Sequence, residues 1–141
     1  MSQPKSRLGF FNDKLTEFFR DLAYAFPEER DLQKASEYIE MAKRSNPRLI
    51  LDMFYEHVYL GAHEMVEKDD EEGVIAFAKK KIETQYNEIS SALGIFDKHW
   101  STLDDTNRTA IWKYLKVLCV LCEKAKATAW KAKASVRQST A

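Results

Sequence analysis

The stretch Thr109-Ala-Ile-Trp-Lys-Tyr-Leu-Lys-Val-Leu-Cys-Val-Leu-Cys-Glu123 decides how the rest of the chain is read. Ile111, Leu115, Leu118, Cys122 and Ala125 recur at the spacing of one helical stripe. Trp112 and Cys119 flank that stripe on one edge, Tyr114 and Leu121 on the other. Val117 and Val120 fall on the opposite side, among Lys113, Lys116, Glu123 and Lys124. An apolar arc this wide predicts a helix covered on more than one side. The expected fold is all-α, a single-domain bundle of about five to six helices around this central C-terminal helix.

Upstream, Thr102-Leu-Asp-Asp105 has the spacing of a capping box, with Asp where Glu is preferred. Phe11, Leu15, Phe18, Phe19, Leu22 and Phe26 predict an aromatic first helix, capped by Asn12 or Asp13 and stopped by Pro27. Residues 1–9 are polar around Pro4 and Gly9, and predict a flexible arm. Glu28 and Glu29 suit the start of a second helix, whose narrower stripe is Leu32, Ala35, Ile39 and Ala42. Asn46-Pro47 reads as an N-cap followed by proline at the first helical position. The third helix then carries Ile50, Met53, Phe54, His57 and Val58, and is expected to weaken at Gly61. Asp69 or Asp70 caps a fourth helix through Val74, Phe77, Ala78, Ile82, Tyr86 and Ile89, which Gly94 is expected to break before a short segment from Ile95 to Trp100.

The totals bound the classes. A chain of 141 residues is about one domain and buries roughly two-thirds of its unfolded surface, so it needs no disulfide or metal to fold. Lys plus Arg equal Asp plus Glu at 22 each, so no global field steers it to nucleic acid or membrane. No apolar run is long enough to insert into a bilayer. The N-terminus lacks the apolar core of a signal peptide. Two cysteines, three apart on one helix, suit a reducing intracellular compartment.

No motif supplies catalysis. Cys119-x-x-Cys122 lies in mid-helix in apolar sequence, whereas a redox pair needs a helix N-terminus to lower its pKa, so buried thiols are expected. His57, His63 and His99 have no metal-ligand spacing, and Glu64 beside His63 is the nearest approach to an acid–base pair. The acids Asp69, Asp70, Glu71 and Glu72 read as a solvated capping cluster, without apolar neighbours to raise a pKa. The expectation is no enzyme, no cofactor and no bound metal.

After Glu123 the chain holds Lys124, Lys126, Lys131, Lys133 and Arg137 and no acid. A helix from Asp104 to Ala134 would be about 45 Å long, longer than a compact domain of this size, roughly 35–40 Å across. Residues 10–124 are therefore expected to form the domain, and 125–141 a basic extension or tail. Trp130, with Lys124, Lys126, Lys131, Lys133 and Arg137, is the candidate partner-binding set. Protein partners or a second copy are the expected ligands, and nucleic acid bound through the tail is the alternative.

Two passages carry a family resemblance. One is Phe11-Asn12-x-x-Leu15-x-x-Phe18-x-x-Asp21-Leu22-x-x-x-Phe26-Pro27 with Asn46-Pro47. The other is Trp100-x-x-Leu103-x-x-x-Asn107-x-x-x-Ile111-Trp112-Lys113-Tyr114-Leu115-x-x-Leu118-x-x-Leu121-x-Glu123-Lys124. Over residues 10 to 124 the chain resembles small helical proteins encoded by large DNA viruses of algae and other protists. These residues are mostly apolar or helix-capping, so no catalytic assignment comes with them. The resemblance implies a virus-encoded protein acting inside an infected cell or packaged in the virion, and the expected role is a non-enzymatic minor virion component or adaptor, in the host cytoplasm, the virus factory or the virion.

Overall fold

The first helix starts earlier than its aromatic stripe suggests. Ser6 is extended and its hydroxyl accepts from the Gly9 amide, so Arg7, Leu8 and Gly9 form the first turn of α1, Arg7–Ala25. Asn12, expected near the cap, is instead buried within the helix and donates from Nδ2 to the Pro47 carbonyl at 2.9 Å. The structure, a computed structural model, describes residues 6–85 and 87–139, with side chains through residue 128.

Pro27 ends α1 as expected, and α2 spans Arg30–Ser45 with Glu29 as its N-cap. α3, Pro47–Phe54, has proline in its first turn. The regular α-helical ladder is interrupted just ahead of Gly61, where weakening is expected, but the chain stays helical through it. A π turn, Tyr55–Tyr59, leads directly into α4, Leu60–Glu67. Gly61 serves contact instead of termination: a Cβ there would lie 2.2 Å from the Phe77 ring. The roughly 1 kcal/mol of helix propensity that glycine forfeits is offset by close packing against the next helix.

α4 ends in a Schellman motif. Asp69 takes the left-handed conformation at φ 57°, Asp70 N–H donates to the Met65 carbonyl, and Asp69 N–H donates to that of Val66. Asp70 then caps α5, Glu71–Thr84, by accepting from the Gly73 amide. α5 stops at Gln85 rather than at Gly94, which is itself helical. The connection is a 3₁₀ turn, Ser90–Leu93, a second π turn, Ile95–His99, and a 3₁₀ turn, Trp100–Thr102. Asp104, not Thr102, accepts from the Asn107 amide at the head of α6, Asp105–Ser139. The Thr102 hydroxyl donates back to the His99 carbonyl.

The described residues form helices and turns and no strand. α1 packs against α2, α3 and α6. Its pairing with α6 is antiparallel: Arg7 reaches Thr128, while the Tyr114 hydroxyl donates to Glu17 and Asp21. Ile111, Leu115, Leu118, Cys122 and Ala125 are all buried, as the stripe requires. α6 is nevertheless not enclosed. It lies on α1 and on the α3–α4 segment and leaves Lys113, Val120, Glu123 and Lys124 exposed, so α1 supplies the middle of the core. Residues 125–128 belong to the packed body, since Ala125 is buried and Thr128 accepts from Arg7.

Candidate interaction site

Aromatic and charged side chains meet where the α4–α5 turn approaches the start of α6. The π turn at Ile95–His99 brings Phe96 and Trp100 together at 4.7 Å, and Trp112 of α6 stands 6.3 Å from Trp100. Each indole N–H needs an acceptor when it leaves water. Trp100 donates to Glu71, and Trp112 to Asp69 at 2.9 Å. Lys116 reaches the same Asp69 oxygen, and these two donors, Lys116 first, hold its carboxyl below the usual range. Arg108 donates to the carbonyls of Trp100 and Ser101 and lies over the Trp100 ring. The result is a cleft of about 530 Å³ with indole walls.

Asp69, Asp70, Glu71 and Glu72 are exposed and Asp70 caps α5, as expected, but the acidic turn also serves more distant neighbours. Two of its carboxylates fasten α6 and the 3₁₀ turn to the α4–α5 corner. Contacts between residues 29 and 43 positions apart leave no local signature. The one available signal was that two tryptophans in helical sequence must each find an acceptor.

The sequence-derived partner set divides in three. Lys124 is exposed and its carbonyl accepts from Arg7. Lys126 is engaged inside the fold. Its side chain is only 13% exposed, 2.6 Å from Asp52 and 4.6 Å above the Tyr55 ring, so it clamps α6 to α3 and the first π turn. The side chains of Trp130, Lys131, Lys133 and Arg137 lie outside the described residues, although their backbone belongs to α6.

Of the histidines, His63 and His99 have structural partners, while Nδ1 of His57 is buried with no hydrogen-bond partner among the described residues. His63 stacks on Tyr59 at 4.2 Å and engages the Tyr59 carbonyl. Burial and the neighbouring Glu123 push the Tyr59 hydroxyl up to about 12. Glu28, Glu29 and His99 place possible ligand atoms within 4.8 Å of one another. There Glu29 pairs with His99 at 2.9 Å and with Lys98 at 3.7 Å, and Phe26 covers the imidazole. No helix among the described residues is long and apolar enough to cross a membrane.

Cys119 and Cys122 are buried and free, and burial pushes both thiols from the ordinary 9.0 up to about 12. A thiolate is the reactive form, so folded protein near pH 8 should label with a disulfide reagent only at the rate of opening. Rapid stoichiometric labelling without denaturant would contradict the burial. The same shift sets a pH dependence. Both thiols are neutral in either state below about 9, while between about 9 and 12 the unfolded chain ionises and the folded one resists. Their stabilising contribution is therefore lost as pH rises through that window.

Compared with known proteins, the chain matches no family model, no curated protein and no solved structure.

Proposed function

We propose that this is a non-enzymatic interaction protein that meets its partners through the end of α6. On the resemblance carried by Phe11–Pro27 and Trp100–Lys124, we further propose that it is a minor virion component or adaptor of a large DNA virus. The supporting observation is the reach of α6. Its helix continues through Ser139, about 16 Å beyond Thr128, the residue reached by the first residue of α1. That segment carries Trp130, Lys131, Lys133 and Arg137 without an acid. An aromatic anchor among cations is suited to an acidic protein surface.

Cross-linking mass spectrometry on the full chain in expressing or infected cells tests this reading. Lys131 and Lys133 should dominate the cross-links to partner proteins, and Trp130→Ala should deplete them while the fold is retained. Cross-links confined to other faces would sink the assignment. Retention on DNA with a steep salt dependence, abolished by deleting residues 129–141, would replace it with nucleic-acid binding.

A further inference from the structure

The cleft between Trp100 and Trp112 has two charges left over. Glu71, Asp69, Lys116 and Arg108 are engaged within the fold. Asp105 and Lys113 line the same cleft, are exposed, and have no ion-pair or hydrogen-bond partner among the described residues. Eight positions apart on α6, they form one row about 12 Å long, negative at its start and positive at its end, beside the indoles.

A matching row stands on the outer face of α2. Met41 is 61% exposed, and Glu37 and Arg44, one turn to either side of it, are exposed too. This row spans about 10.5 Å, negative at its start and positive at its end. Laid antiparallel on the α6 row, it brings Glu37 to Lys113 and Arg44 to Asp105. Met41 then falls between the charges, toward the indoles, where a thioether makes favourable contacts with aromatic rings. Glu40, the other acid of this face, is occupied by Arg20 at 2.7 Å.

We infer that the protein self-associates head to tail, the Glu37–Met41–Arg44 face of one copy docking in the Trp100–Trp112 cleft of the next. The occupant is a second copy because this chain carries the complementary order of charges around an exposed apolar knob. A formal net charge of zero leaves no long-range repulsion against association. Knob and cleft share no residue, so each copy presents both. Such a heterologous contact closes into a ring or grows as a filament, according to its rotation. It does not involve residues 129–139, so it stands or falls separately from the function proposed above.

Sedimentation equilibrium of the full chain, from micromolar to millimolar concentration, tests the inference. The average mass should rise beyond one chain, and deletion of residues 129–141 should leave that rise unchanged. Met41→Glu should weaken association about tenfold or more, as loss of a central interface anchor does. Glu37→Lys and Lys113→Glu should each weaken it, while the two together restore it by exchanging the charges. All these positions are exposed, so the circular dichroism and unfolding midpoint of the variants should match the parent. A wild-type chain that stays monomeric at millimolar concentration overturns the inference. So does a doubly exchanged variant that associates no better than either single one.

Discussion

Phe11→Ala should lower the unfolding free energy by about 3–5 kcal/mol, the cost of emptying a large aromatic site that its neighbours cannot close. Phe11 is 0% exposed and its ring meets Phe54 edge-on at 5.3 Å, where α1 packs on α3. Next to it, Asn12 ties α1 to the start of α3 through the Pro47 carbonyl. The cavity would thus open at a junction held on both sides, which limits relaxation. A domain of this size is held by only about 5–15 kcal/mol, so the urea midpoint should fall steeply. Phe11→Leu, which keeps most of the apolar volume, should cost less and keeps the comparison measurable if the alanine variant does not fold. Tyr24→Ala, on the same helix but 89% exposed, should change stability by less than about 0.5 kcal/mol. Equal midpoints for Phe11→Ala and Tyr24→Ala would mean that α1 is turned the wrong way.

Leu118→Ala should cost about 2–5 kcal/mol, and Val120→Ala close to nothing. Both lie in the same Val-Leu-Cys-Val-Leu-Cys run, yet Leu118 is 0% and Val120 50% exposed. Two positions along a helix are about 200° around it, so this pair reads the rotation of α6. Leu118 belongs to the central cluster with Leu115 and Cys122. Matching urea curves for the two variants would show that α6 does not settle on α1 by the stripe assigned to it.

Local signals located most of the helices and failed where a residue served a distant neighbour. Pro27 and Asn46-Pro47 separate helices because proline restricts the backbone whatever the surroundings. Asp70 caps α5 because its carboxylate meets an amide three residues on. Gly94, and in part Gly61, mislead for the opposite reason, since both lie in helical stretches. At Gly61 the missing side chain is required by Phe77, across an interface. Lys126 misleads likewise. In sequence it is one more cation of a basic run, and in the fold it meets Asp52, 74 positions away.

The amino-acid order alone determined an all-α chain and the buried stripe of α6. Apolar periodicity and proline are properties of the segment itself, legible before any packing. Tertiary structure decided which helix lies in the middle and how Trp100 and Trp112 are anchored. It also decided which cations are spent inside the fold, leaving Asp105 and Lys113 without a partner among the described residues, beside the indoles. These depend on contacts between residues far apart in the chain, and buried indoles and charges must find partners wherever the packing of helices brings them.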